Sequence, residues 1–96
     1  MTRAEFEAEL AREGYEIREG EIEPNAHRPA HAHGFDARVL VLSGSITLVF
    51  GQERVTYGPG ESCSVPAGTM HEEHTAADGV RYVSGRRQVP QPAIGR

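Results

Sequence analysis

The chain has no lysine and one cysteine, and no apolar run approaches the roughly 20 residues that cross a membrane. Each absence excludes something. The lone Cys63 cannot form an internal disulfide, and it removes any paired-cysteine zinc framework. The ten basic residues are all arginine, set against fourteen acids, for a net charge of -4. That balance argues against nucleic-acid binding, which usually needs a basic face. The missing lysine reads as genome composition rather than mechanism. The opening MTRAEFEAEL is acidic and lacks the apolar segment of a signal peptide, so the expected location is cytoplasmic, with no membrane partner.

What is present suits one small soluble domain. Ninety-six residues leave room for one core, and a chain of this size buries roughly 60–70% of the surface its unfolded form exposes. A hydrophobic fraction of 38% is slightly lean, so a partner subunit or a metal would help the fold. Five histidines with no cysteine cluster mean that a metal site here must be built from imidazole and carboxylate.

The chain divides into three stretches. Thr2 and Glu5 have capping-box spacing, Phe6 and Leu10 recur at i, i+4, and Gly14 is a plausible stop. This predicts a short amphipathic helix within residues 2–13. Such a helix is marginal alone, so Phe6 and Leu10 should dock on the main body. From Tyr15 to about residue 86, short runs of Val, Ile, Leu, Thr and Tyr alternate with Gly and Pro. Strands are expected at 38–42, which reads as buried on both faces, and at 46–50, 54–57, 62–65 and 80–84. Turns are expected at 43–45, 51–53 and 58–60. Many short strands with close turns predict an all-β sandwich or barrel. The tail from Arg87, with Pro90, Pro92 and Gly95, has no periodicity. It is expected to be loose or to lie across a neighbouring subunit.

His31-Ala-His33 precedes the first strong strand. In an extended segment, residues i and i+2 share a face about 6–7 Å apart, so the two imidazoles can share one cation or stand as solvated loop histidines. Downstream, Gly60, Pro66 and Gly68 set turns around a short strand, and the Pro-x-Gly turn can aim His71 inward.

Together these segments resemble a small single-domain cupin. The family's second motif is G, five residues, PxG, two residues, H, three residues, N. It matches from Gly60 through Pro66, Gly68 and His71, with Thr75 replacing the closing Asn. The first motif is G, five residues, HxH, three or four residues, E, six residues, G. It matches at His31, His33 and Gly44, while Asn25 stands where the leading Gly belongs. The resemblance implies a jelly-roll barrel, a double-stranded β-helix, with the N-terminal helix outside it. It also implies a homodimer, with a partner covering exposed edge strands. The family's glutamate ligand would fall at Ala37 or Arg38, so the implied metal ligands are His31, His33 and His71 without a carboxylate. The expected cofactor is a divalent transition metal, Fe, Zn, Ni or Mn. Family activities are diverse. The resemblance points either to a metal-dependent dioxygenase, isomerase or lyase acting on a small chelating organic acid or carbonyl compound, or to a non-enzymatic ligand-binding or sensor module.

Several neighbouring residues have two readings. Asp36 stands one position from the missing carboxylate. Strand alternation turns it away, and a bulge would bring it in. Arg38 either faces the metal side, where it would favour a carboxylate ligand, or pairs outward with Asp36. His74 should face away from His71, as a rim histidine or a proton relay at the pocket mouth. His27 is placed in the loop entering the barrel. Glu72 and Glu73 read as solvated acids, with a base role as the alternative. Cys63 reads as a small buried apolar residue; the alternative, a nucleophilic thiol, would need a lowered pKa for which the sequence gives no argument. Tyr82 fills the core or lines the pocket.

Overall fold

The computed structural model describes residues 1–89. Helix α1 spans Arg3–Arg12 and is followed by six strands: β1 Glu16–Ile22, β2 His27–His31, β3 Phe35–Phe50, β4 Glu53–Tyr57, β5 Ser62–Val65 and β6 His71–Gln88. The capping box forms as its spacing predicts. The Glu5 amide donates to Thr2 Oγ1, and the Thr2 amide donates to Glu5 Oε1. Among the described residues, no helix is long and apolar enough to cross a membrane.

Strands β3 and β6 are long, antiparallel and shared by two sheets. The first half of β3 pairs with the second half of β6, and the outer partners are β5 and β1. The second half of β3 pairs with the first half of β6, and here the outer partners are β4 and β2. The result is an all-β jelly-roll arrangement with one short helix. Two expectations are corrected here. Residues 43–45 are not a turn, and the last strand does not begin at Val80. Both segments are bends within continuous strands. Gly44 (φ 75°) and Gly79 (φ 64°) sit at these bends in the left-handed region. A Cβ on Gly44 would collide with the Gly79 carbonyl oxygen, so the two strands turn against each other where side chains cannot fit. The β3 ladder shifts register on both sides of Gly44, which marks the bulges that carry the bend.

The tail expectation is corrected in part. Arg87 and Gln88 belong to β6, pairing with Asp36 and Phe35. The remainder of that tail, from residue 90, lies outside the described residues.

Two apolar clusters hold the domain. Ile22, Val41, Ile46, Leu48, Val65 and Val80 fill the space between the sheets. Phe6 and Leu10 are fully buried against Leu40 and Val83, so α1 covers the outer face of one sheet. This helix explains why the 38–42 segment has apolar residues on both faces. Arg38 lies under it, donating to Glu9 at 2.9 Å and to Glu13 at 3.4 Å, with its guanidinium 5.1 Å from the Phe6 ring centre.

Candidate metal centre

The two histidine segments are brought together by the backbone. The Gly68 amide donates to the His33 carbonyl at 2.9 Å, and the Ala67 amide donates to Asp36 Oδ1 at the same distance. The Pro66-Ala67-Gly68 turn is thereby fastened to the start of β3. His31 and His71 are directly opposed on β2 and β6. Their rings lie 4.4 Å apart, and His33 lies 4.8 Å from His31 and 5.3 Å from His71.

A fourth residue joins them. Glu73 follows His71 by two positions on β6, so strand alternation puts both side chains on the inner face. Its Oε2 lies 3.1 Å from His71 Nε2 and 3.4 Å from His31 Nε2. One ligand atom from each of His31, His33, His71 and Glu73 lies within 4.8 Å of the others. Glu73 is mostly buried, contrary to its reading as a solvated acid. The signal was available, because the same period of two that separates His74 from His71 unites Glu73 with it.

The hydrogen bonds define what this cluster needs. His71 Nδ1 donates to the Thr69 carbonyl at 2.9 Å, and His31 Nδ1 donates to the Pro29 carbonyl at 2.8 Å. A carbonyl only accepts, so each Nδ1 carries a proton and each Nε2 of a neutral ring is a lone pair. Both lone pairs then face a carboxylate oxygen. Acceptors at these distances require a shared cation, either a proton on an imidazole or a metal ion. Backbone carbonyls that fix the far nitrogen are also what orients metal-bound histidines. The donor set therefore fits a divalent transition metal on its own chemistry. Burial pushes the His33 pKa down, aided by the neighbouring His31 and His71. That keeps its imidazole in the neutral form that binds metal.

The cluster opens into a cavity of about 130 Å³ between the sheets. Ala37, at the place of the family's glutamate, lines it without reaching the cluster as a donor. Other walls are Val39, Ile46, Leu48 and Val65, with Tyr82 and Ser84 from β6. Cys63 also lines the cavity, and burial pushes its thiol up to about 11. Arg86 stands over the Phe35 ring at 4.7 Å, and His33 stacks on the same ring at 4.6 Å.

Several sequence readings resolve here. Asp36 does not swing in. It accepts from Ala67 and from Arg87, which hold its carboxyl below the usual range. Arg38 neither faces the cavity nor pairs with Asp36; it serves α1. Thr75, in place of the family's Asn, accepts from the Ala26 amide and donates to the Glu23 carbonyl, fastening the β1–β2 connection. Asn25, in place of the leading Gly, adopts φ 57°. Asparagine is among the few residues that tolerate this left-handed geometry. His27 is not in a loop but opens β2, opposite His74, and the two rings stack at 4.2 Å on the outer face. Glu72, bonded to His74 at 2.9 Å, is held below the usual carboxylate range by that contact.

The sequence pattern of the Cupin domain family matches residues 18–83. The chain is a member of the cupin family. No relative among curated protein sequences matches it. Among solved structures, this cupin resembles a cupin-2 domain protein from Shewanella frigidimarina (20% identity, TM-score 0.66, covering 77% of this chain and 71% of the other). It also resembles the polyketide cyclase RemF from Streptomyces resistomycificus (27% identity, TM-score 0.64, 82% and 63%). A third likeness is the DMSP lyase DddQ from Ruegeria pomeroyi (18% identity, TM-score 0.67, 82% and 40%). The cupin thus spans less than two thirds of each of these two enzymes.

Proposed function

We propose that this cupin holds a divalent transition metal (Fe, Zn, Ni or Mn) on His31, His33, His71 and Glu73, and acts there on a small chelating organic acid. The observation that carries the reading is the convergence of two imidazole Nε2 atoms, those of His31 and His71, within 3.4 Å of one Glu73 oxygen. A bound ion would supply Lewis acidity and open positions for an oxygen ligand.

The rest of the cavity selects the ligand. At about 130 Å³ it is small beside the roughly 300–1,000 Å³ of drug-sized pockets. Its aliphatic walls suit a short apolar body. Arg86 lines the cavity with its guanidinium over the Phe35 ring, where it can meet a ligand carboxylate. This favours an acid over a neutral carbonyl compound. Two of the structurally similar proteins, a polyketide cyclase and a DMSP lyase, are enzymes of small organic molecules, which supports the substrate class and not a particular reaction.

A second reading is a non-enzymatic binding or sensor module. It is favoured by the lack, among the described cavity residues outside the cluster, of a side chain suited to proton transfer near neutral pH: the Cys63 thiol stands at about 11.

Metal content tests the proposal. Elemental mass spectrometry on untagged protein, dialysed so that only tightly held metal remains, should find about one transition metal per chain, lost in His31→Ala/His71→Ala. Wild type that stays metal-free after loading with Fe, Zn, Ni and Mn would sink the metal reading. Turnover of a chelating acid by the loaded protein then separates enzyme from sensor.

A further inference from the structure

The quartet His71-Glu72-Glu73-His74 places a histidine and a glutamate on each face of β6. Alternation sends His71 and Glu73 inward, and Glu72 and His74 outward. The neighbouring β2 repeats the division. Its His31 opposes His71 on the inner face, and its His27 opposes His74 on the outer face. The same two strands therefore carry cross-strand histidine pairs on both surfaces of the sheet, each with a glutamate two residues from its β6 histidine.

The outer group has the same convergence as the inner one. His74 Nε2 lies 2.9 Å from Glu72 Oε1, and His27 Nε2 lies 3.4 Å from that same oxygen. The two rings are stacked at 4.2 Å with 25° between their planes. One ligand atom from each of the three residues lies within 4.8 Å of the others. Two parallel imidazoles with both Nε2 atoms directed at one carboxylate oxygen can close around a single ion. Rigidity comes from the ladder: His74 is in the middle of its sheet, paired to His27 on one side and to Thr47 on the other. His27 is 62% exposed and His74 24%. Water can therefore reach the group and fill the remaining coordination positions.

We propose that His27, Glu72 and His74 form a second metal site on the outer face of the β2–β6 ladder, separate from the inner cluster, for a late first-row divalent ion such as Zn²⁺. Two imidazoles and a carboxylate are a donor set that zinc accepts at about 2.0–2.2 Å. With three protein donors and open access, this site binds more weakly than the buried four-donor cluster. Its ion would join β2 to β6 near the bulge that interrupts their pairing between Arg28 and His31. It would also offer an open coordination position to a donor from outside the domain.

The test is a zinc titration of full-length untagged protein, read as equivalents bound per chain, in wild type, His27→Gln, His74→Gln and His71→Gln. Wild type should bind one more equivalent than either His27→Gln or His74→Gln, and His71→Gln should retain that equivalent. The exposed position of His27 makes His27→Gln safe for the fold, and circular dichroism checks each variant. Glu72→Gln should weaken the same equivalent at least tenfold. Equal zinc counts in wild type, His27→Gln and His74→Gln would overturn the proposal. So would loss of all zinc in a folded His71→Gln, because a single inner site would then account for everything bound.

Discussion

Glu73 lies two residues beyond His71 on one strand, and its Oε2 is 3.1 Å from the His71 Nε2. On the proposed reading, Glu73 would stand in for the family's glutamate, whose place here is Ala37 or Arg38. Its carboxylate comes from β6 instead of β3 and gives the inner cluster an anionic member. Removing even an outer partner of a metal ligand costs about 10–100-fold in affinity. Glu73→Gln, which removes a donor of the proposed site, should therefore weaken metal binding at least tenfold, measured by competition with a chromogenic chelator. Asp36→Asn should leave the affinity nearly unchanged. Equal losses in the two variants would mean that Glu73 acts through the fold rather than on the metal.

Asp36 has a different role, and it carries a pH signature. Its carboxylate accepts from the Ala67 amide and from Arg87, and both contacts lower its pKa. A carboxyl depressed on folding adds stability that is present above its unfolded value, roughly 3.9. That contribution is lost as pH falls through the lower folded value. Wild-type melting temperature should thus fall more steeply than that of Asp36→Asn as pH drops below about 4. Parallel melting curves for the two proteins across this range would show that the contact adds nothing.

Much of this architecture was legible because local signals agreed with the global fold. The Thr2–Glu5 capping box, the Phe6/Leu10 stripe and the 38–42 run, apolar on both faces, each describe one structural fact: a helix lying on the outside of a sheet. The convergence of His31, His33 and His71 was legible through the motif spacing of the family resemblance. What escaped was whatever depended on partners across the sheet. Gly44 looked like a turn because a single strand cannot show that its bend is matched by Gly79 on the neighbour. In sequence the nearby partner for Arg38 is Asp36, while its actual partners, Glu9 and Glu13, are more than twenty residues away. Glu73 was missed because two adjacent acids look solvated until alternation is applied to each separately.

Cys63 faces the cavity beside the cluster, yet its thiol is pushed up to about 11 by burial, with the Glu73 charge adding to the effect. The thiolate is the reactive form, and an ordinary thiol has a pKa near 8.5. At neutral pH the thiolate fraction should be lower by about two orders of magnitude. Reaction of native Cys63 with a disulfide reagent should be slower than that of the urea-unfolded chain by a similar factor. A native rate at or above the unfolded one would point to an activated cysteine and reopen its part in the chemistry.

The homodimer expected from resemblance has a physical basis in the open strand edges. Among the described residues, each sheet ends in strands with an unpaired outer edge, β1 and β5 in one and β2 and β4 in the other. Such edges are commonly covered by a partner. Sedimentation of untagged protein at micromolar concentration should give twice the chain mass of 10.5 kDa. A monomer at that concentration would remove the dimer from the account of the site.

The paired bend of β3 and β6 sets where the two sheets separate and hence where the cavity lies, so its glycines should be sensitive out of proportion to their size. Gly51 and Gly79 both have a left-handed backbone, at φ 61° and 64°. A Cβ at Gly51 would meet nothing within 4 Å, whereas one at Gly79 would lie 2.6 Å from the Ile22 carbonyl oxygen. Gly51→Ala should cost only the left-handed strain, roughly 1–2 kcal/mol. Gly79→Ala adds a backbone collision that no side-chain rotation relieves, so urea unfolding should give it the larger loss. Because the collision would push β1 away from β6 beside cavity-lining Ile22, Gly79→Ala should also weaken metal binding at the inner cluster, while Gly51→Ala should not. Equal stability losses in the two variants would show that β1 can move off Gly79 without cost, and would separate this contact from the geometry of the site.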